Sequence, residues 1–464
     1  MSVQGVPPAG AVVEQALALA RADETIVMVT DAHEASLRWA GNSMTTNGAS
    51  VSRQWAVVSI FRDGPRAARV GSVGSTSVDP AEAATVVRAA EAAARSAEPA
   101  KDAMPLLDST DSVEDWAAEP GTTGIEVFTD LARGLADGFD GADRLYGFAH
   151  HQVHTTWLGT STGLRRRFVQ PTGSVEINGK RGPRDAPSSA WVGVGTTDFT
   201  DVDVPALLSE LSGRLDWAAR RVELPAGRYE TLLPPSAVAD LMISLMWAME
   251  GRGAHEGHNA FARPGGGTRI GERLTELPLT LWSDPRAEGL AYRPFVATPE
   301  SSETLSVFDN GLLADRVDWV REGVVHALAY PRATAAEFGA TPTVPGENLL
   351  LTGGSAASTA ELVARTERGL LLTTLWYIRE VDPATLLLTG LTRDGVYLVE
   401  DGRVTAEVNN FRFNESPLDL LRRVTEAGAT EATLPREWKD WFTRAAMPPL
   451  RIPDFHMSSV SQAT

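Results

Sequence analysis

The chain has 464 residues, a formal net charge of -18, 43% apolar and 22% charged residues, and no cysteine. The acidic balance argues against a nucleic-acid or anionic-membrane partner, either of which wants a basic face to neutralise phosphates. Without thiols, disulfides, cysteine nucleophiles and cysteine metal ligands are excluded, so any metal must be held by His, Asp and Glu.

No apolar run reaches the ~20 residues that span a bilayer. The first fifteen residues show neither a basic n-region nor an apolar h-region, so a cytoplasmic location is expected. Helical spacing over residues 12–22 predicts a first helix, and 24–30 a short β-branched strand. A polar turn, a strand over 34–39, a turn at Asn47-Gly48 and a strand centred in 50–62 come next. Asp63-Gly64-Pro65 then turns the chain into an extended run over 68–77. Asp79-Pro80 opens an alanine-rich helix with acid in its first turn and Arg88 and Arg95 later, as the helix dipole prefers. Residues 99–120 are polar, acidic and proline-punctuated, the composition of a surface link.

A helix is expected over 124–142, then a strand over 144–157 holding His150, His151 and His154. On a strand His150 and His154 share a face roughly 13 Å apart, at ~3.3 Å per residue, with His151 opposite. That separation is too long for one tetrahedral metal without a bulge, so histidines on a sheet face or at an interface are the favoured reading. Ser161 in GTSTG fits Gly-x-Ser-x-Gly, but a nucleophile elbow joins strand to helix, and here the next run is strand-like. A hairpin turn with Ser161 exposed is expected instead. Arg165, Arg166 and Arg167 suit an anionic ligand or, the favoured reading, a solvated edge that discourages aggregation. A strand over 188–198 and a helix over 204–221 complete an α+β first domain, residues 1–222, with an antiparallel sheet.

Residues 234–269 carry the chemistry. Leu241, Met242, Leu245, Met246 and Met249 recur at one-face helical spacing from Val238, and Ile243 and Trp247 make the other face apolar, so this helix is buried. Ser236 is the expected cap, and Gly251 and Gly253 the stop, leaving His255, Glu256 and His258 at or just past the end. One reading is a displaced metal site, the two histidines a turn apart and Glu256 the base. Against it, a glycine-rich stretch is not expected to be helical, no third ligand is identified, and His-Glu-x-His is one residue short of the zincin spacing. The favoured reading is a polar loop of Trp247, Glu250, Arg252, His255 and His258 that packs on a partner or lines a substrate route. The glycines at 265–267 do not make a phosphate loop, since no strand precedes them and no Lys-Ser/Thr comes after.

Beyond this point short apolar runs recur at 279–282, 294–297, 306–308, 316–320, 324–327, 348–351, 370–378, 385–391, 396–399, 404–408 and 450–457. Helices are expected at 359–368 and 416–427. The pattern predicts a β-rich C-terminal domain, residues 223–464, forming a curved antiparallel sheet or partly closed barrel.

Three stretches together resemble one family. They are LRWAGNSMTTNG through VSRQWAVVSIFRDGPRAARVGSVGSTS before Asp79-Pro80, NLLL with Gly353-Gly354, TERGLLLT and GVYLVEDGRV, and the closing MPPLRIPDFHMSSV. The resemblance is to the TldD/PmbA proteins, which pair as a TldD-type and a TldE (PmbA)-type subunit, and it covers nearly the whole chain. It implies a zinc-dependent metallopeptidase, a hydrolase working as a cytoplasmic heterodimer in proteolysis of unfolded or modified peptides. In the TldD-type subunit a helix with His-Glu-x-x-x-His and a cysteine near the C-terminus carry the zinc. Here the corresponding helix runs from Leu245 to Arg252 as LMWAMEGR, with no histidine.

The chain therefore resembles the TldE-type partner, with no catalytic residue and no metal of its own. Zinc is expected in the TldD-type subunit, and an extended peptide in the shared chamber, read by strand addition. The alternative is that the chain is itself a metal-dependent peptidase or amide hydrolase using His255, Glu256 and His258, for instance in peptide maturation within a natural-product pathway. A third reading is a homo-oligomeric binding protein with no peptidase partner.

Overall fold

The computed structural model describes residues 7–64, 66–108, 113–141, 143–184 and 187–461. Pro65 of the predicted turn, residues 109–112 of the predicted link, Ala142 at the predicted helix end and the first six residues lie outside them.

Strand alternation builds the first sheet. Glu24–Ala40 is one strand (β1), and its odd-numbered positions from Val27 through Trp39 are buried on a single face. The polar turn expected after residue 30 is absent. Asp31 sits opposite Arg53 in the register, and the Arg53 guanidinium donates to both Asp31 carboxylate oxygens, so the polar residues are an ion pair within the sheet. The reversal comes at Gly41 and Asn42, with φ of 60° and 65°, whereas Asn47-Gly48 runs inside the next strand, Met44–Gly64 (β2). Asn42 decides this. Its Nδ2 donates to the carbonyls of Phe139 (3.0 Å) and Asp143 (2.8 Å), and its Oδ1 accepts from Leu145 N (2.6 Å).

Ala67–Ser75 (β3), Arg144–Thr160 (β4), Arg165–Arg181 (β5) and Ser188–Thr196 (β6) complete an antiparallel sheet of order β3-β2-β1-β4-β5-β6. Helices Ala9–Leu19 (α1) and Ala83–Ser96 (α2) cover Val27, Val29, Trp55, Val57 and Trp157. Thr129–Phe139 (α3) and Val204–Trp217 (α4) cover Leu37, Trp39, Val175, Ile177 and Val192 further along the same face. On the opposite face Ile26, Val58, Ile60 and Leu158 pack against Phe295, Val307 and Phe308 of the second half.

Ser161 is exposed at the β4–β5 turn, where its Oγ accepts from Thr25 N (2.9 Å). The three arginines are not simply a solvated edge. Arg165 pairs with Glu14 of α1, and Arg167, its side chain 5% exposed, pairs with Asp115 and covers the Trp157 ring, so they fasten α1 and the link to the sheet.

In the second half ten strands form one sheet, from Leu375–Asp382 at one end of the path to Arg221–Val222 at the other, and among the described residues it does not close into a barrel. Most pairings are antiparallel, but residues 231–232 with 370–371 and 221–222 with 407–408 run parallel. The latter pairing draws residues 221–222, assigned to the first domain, into this sheet. A second sheet holds six short strands, ending at Val324–Val325 and Glu431–Thr433. The run at 306–308 is a 3-10 turn over Val307–Asp309, not a strand. The single strand expected over 370–378 is two, Arg368–Leu372 and Leu375–Asp382, which lie apart in the sheet. The helix Pro235–Trp247 (α5) runs between the sheets, buried from Ala237 to Met246 against Leu349, Leu351, Leu420, Met447 and Leu450. No described helix is long and apolar enough to cross a membrane.

Asn42→Ala should lower stability by about 3–4 kcal/mol, from three hydrogen bonds at about 1 kcal/mol each and a left-handed backbone that alanine resists. Asn42→Gly should recover about 1 kcal/mol by relieving the backbone alone. Urea unfolding monitored by tryptophan fluorescence checks both, and an Asn42→Ala midpoint equal to wild type would show that this turn is not a fixed point.

Candidate functional site

α5 begins at Pro234, with extended backbone, and Pro235 in its first turn. Ser236 does not cap it. Its Oγ donates instead to the Leu434 carbonyl (2.8 Å), tying the helix start to residues 434–438. After α5 the chain extends at Glu250 and coils again as a short helix, Gly251–Glu256 (α6), where the glycines predict an irregular loop. The cause is local. The Glu250 carboxylate accepts from Gly253 N (2.7 and 3.0 Å), and Gly257, at φ 82°, closes the other end as His258 N donates to Gly253 O. Gly251 permits the turn, because a Cβ there would stand 2.1 Å from the Tyr330 ring. Burial raises the pKa of Glu250 above its ordinary value, and raises that of Tyr330 with help from the nearby Glu250.

The residues singled out from the sequence divide into two groups. His255 lies flat against Phe338, ring centres 4.1 Å apart and planes 2° from parallel, with Nε2 3.2 Å from the Tyr330 hydroxyl. Arg252 pairs with Glu337 and Glu256, and Glu256 also meets the exposed His258 at 3.4 Å. His255 and Glu256 are thus directed to different partners. Among the described residues no three His, Asp or Glu side chains are placed to share a metal ion. The zinc that the family resemblance implies would need histidines on α5 and a thiolate. Leu245, Met246 and Met249 occupy that stretch, all buried in apolar contact, so these residues do not fit it.

Trp247 belongs elsewhere. It is half exposed and meets Trp438 edge to face at 4.9 Å, and Trp438 in turn neighbours Trp441, which is 74% exposed. Sequence reasoning missed this group, although two tryptophans three apart in WKDW are a visible signal.

It also missed Asp240, which is fully buried on α5. Its Oδ1 accepts from Glu437 N (3.0 Å) and its carbonyl from Trp438 Nε1 (2.9 Å), while Oδ2 is buried with no hydrogen-bond partner. Burial pushes its pKa well above the ordinary carboxylate value, and main-chain hydrogen bonds from Glu437 and Trp438 lower it by less. Glu437 passes the link on by accepting from Tyr377 N (2.9 Å) and Ile378 N (3.0 Å), and Tyr377 is held at φ 56°.

A second polar cluster lies on the face of the first sheet opposite the helices. Glu34 stands opposite Gln152, with His150 and His154 two residues to either side on β4. His150 approaches Glu34 at 4.0 Å. His154 Nε2 is buried without a partner, and burial first, with Arg293 and Arg444 adding to it, lowers its pKa. Arg444 donates to Thr172 and to the Pro171 carbonyl, and Arg293 N to Gln170 (2.8 Å), so this cluster borders the seam between the halves. His151 faces the helices, bonded to Thr123 (2.6 Å) and the Thr197 carbonyl (2.8 Å). Around the edge of β6 a cleft of about 710 Å³ is lined by Trp191, Leu207, Trp217, Val363, Val404 and Ala432.

Residues 226–459 match the family model of the PmbA/TldA metallopeptidase C-terminal domain. Among solved structures, TldE from Thermococcus kodakarensis superposes with a TM-score of 0.76 at 15% identity, over 96% of this chain and 98% of that one. A putative modulator of DNA gyrase from Bacteroides thetaiotaomicron gives 0.76 at 15%, over 97% and 98%. A putative modulator of a DNA gyrase from Thermotoga maritima gives 0.73 at 15%, over 93% and 95%. No curated protein sequence matches the chain.

Because the folded-state pKa of Asp240 is raised, its contribution to stability is full below the unfolded value of about 3.9 and is lost as pH rises through the folded value. Asp240→Asn keeps an acceptor for Glu437 N but cannot ionise. Its melting temperature should fall less than that of wild type as the pH is raised above about 4. Parallel profiles for the two proteins would remove Asp240 as the source.

Proposed function

The chain belongs to the PmbA/TldD family, and on that premise we propose that it is the metal-free TldE (PmbA)-type subunit of a heterodimeric zinc metallopeptidase that acts in the cytoplasm on unfolded or modified peptides. The observation that carries this reading is the composition of α5. The helix that would present zinc ligands is apolar and buried, and the nearest histidine, His255, is engaged by Phe338 and Tyr330. A water-activating site needs an open coordination position and ligands free to reach it. Neither α5 nor α6 supplies them.

The role left to such a subunit is to dock the TldD-type chain, which would hold the zinc, and to present substrate. β6 and Glu431–Thr433 are end strands of their respective sheets, and both contribute to the lining of the cleft beside α4. A sheet edge reads an extended peptide through main-chain hydrogen bonds without a side-chain pocket, which suits substrates that are unfolded and varied in sequence. The net charge of -18 favours neither nucleic acid nor an anionic membrane as a partner.

Purified alone, the chain should carry far less than one zinc per molecule and leave an unstructured substrate such as casein intact. Mixed one to one with a TldD-type subunit, it should give a chelator-sensitive peptidase more active than either part. Stoichiometric zinc in the lone chain, lost in the His255→Ala, His258→Ala double variant, would overturn the assignment in favour of a hydrolase centred on α6.

A further inference from the structure

Four charged side chains line the cleft of about 710 Å³ beside α4, and they are not equivalent. Glu210 and Arg214 lie one turn apart on α4 and pair with each other, while Arg214 also donates to the Trp191 carbonyl. Their charges are matched within the wall. The other two are Glu431 and Arg403. Among the described residues no hydrogen bond or ion pair engages either side chain. Glu431 opens the end strand of the six-stranded sheet, and Arg403 opens the strand Arg403–Val408 of the ten-stranded one. Arg403 stands opposite Glu400 in its hairpin without an ion pair to it. Partial burial first, and the charge of Glu210 second, raise the pKa of Glu431. A positive group arriving there would offset that repulsion.

The rest of the wall is largely apolar, with Leu207, Val363, Leu371 and Val404 beside the rings of Trp191 and Trp217. Both indoles are held from outside the cleft. Trp217 meets the buried Tyr397 edge to face at 5.2 Å, and the Arg436 guanidinium covers Trp191 at 5.1 Å. A wall fixed in advance orders less on binding. The volume lies within the ~300–1,000 Å³ of sites that enclose a small organic ligand.

We propose that this cleft binds a short free peptide, two or three residues long with apolar side chains, its terminal ammonium toward Glu431 and its terminal carboxylate toward Arg403. Such a ligand carries one positive and one negative end on an apolar body. The cleft offers an unpaired acid, an unpaired base and an apolar wall, and the end strands β6 and Glu431–Thr433 supply backbone groups for the peptide bond. The proposal rests on reading the cleft as a place where peptide is held. It narrows that reading to free ends, because an internal stretch of a long chain has no charge to give Glu431 or Arg403.

Isothermal titration calorimetry of the purified chain with the dipeptide leucyl-phenylalanine tests it. Binding should saturate at one per chain, and the N-acetyl form and the C-terminal amide should each bind about tenfold more weakly, as loss of one charge-assisted hydrogen bond predicts. Glu431→Gln should weaken the free dipeptide about tenfold and leave the affinity of the N-acetyl form at its wild-type value. Arg403→Gln should act likewise on the free dipeptide and spare the amide. Both sites are exposed, so the melting temperature should not change. Ala432→Trp, also at an exposed position in the lining, should fill the cleft and abolish binding.

Absence of saturable binding overturns the proposal. So do caps and variants without effect, which would leave an apolar groove that ignores charge, and binding that survives Ala432→Trp, which would put the peptide elsewhere. Leucine alone binding as tightly as the dipeptide would make this an amino-acid site, and a doubly capped dipeptide binding as tightly would make it a site for internal chain segments. Either result equally overturns it. The metal-free reading is decided separately by zinc content, so the failure of one is distinguishable from the failure of the other.

Discussion

The burial of α5 is the constraint on which the second half of the molecule depends. Ten consecutive residues of this helix, from Ala237 to Met246, are removed from water between two sheets and the helix Pro417–Arg423. A helix enclosed on every side must be apolar all round, and any polar group on it must find its partner within the protein. Ser244 does so by donating to the Asp240 carbonyl, at 3.1 Å. Asp240 does so only in part, and burial of the incompletely bonded carboxyl shifts its equilibrium toward the protonated form. The same enclosure explains why the polar residues come after Trp247, where α6 forms against Tyr330 and the helix Arg332–Phe338 while Met249 and Ala254 stay in the core.

From Asp240 the constraint spreads outward by contact. Glu437 and Trp438 are drawn to α5 by main-chain and indole hydrogen bonds, and Glu437 then fixes the backbone at Tyr377 and Ile378. A tyrosine at positive φ is costly and persists only where its surroundings over-determine it. The carboxylate that receives both adjacent amides supplies that constraint. Trp438 meanwhile supports Trp247, which leaves Trp247 and Trp441 partly facing solvent. The exposed aromatic group at the end of α5 is therefore a consequence of how the buried acid is bonded.

Legibility in the sequence tracks the range of the cause. Short-range causes can be read: α5 from its periodicity, the alternating first sheet, and the β4–β5 hairpin at Ser161 from the strand-like run beyond it. The family is readable from motif wording spread along the chain, and it carries the fold with it. Features set by distant partners cannot be read. Asp31 looks like a turn residue until Arg53 stands beside it, and Asn47-Gly48 looks like a better turn than Gly41-Asn42 because the groups that hold Asn42 lie about a hundred residues away. The polar stretch at 250–258 is visible as one unit, but its glycines read as helix breakers. They act as space for Tyr330 and for the capping Glu250, which makes α6 possible.

The arginines show how a strongly acidic chain can still be held together by cation contacts. Arg332 is bonded to the buried Asp309 and to the Pro105 carbonyl, Arg444 to β5, and Arg293 to Glu347, so several basic side chains are committed to joining distant parts of the chain. Arg436 lies buried between Trp191 and Trp376, near Glu176, with burial lowering its pKa despite that acid. Guanidinium suits such positions because its planar face stacks on indoles while its edges reach carbonyls and carboxylates. Cations enclosed in this way contribute less to the outer field than the exposed acids do. Acids are enclosed with them, Asp31 beside Arg53, Asp309 beside Arg332 and Glu415 beside Arg423, so these charges are matched within the fold.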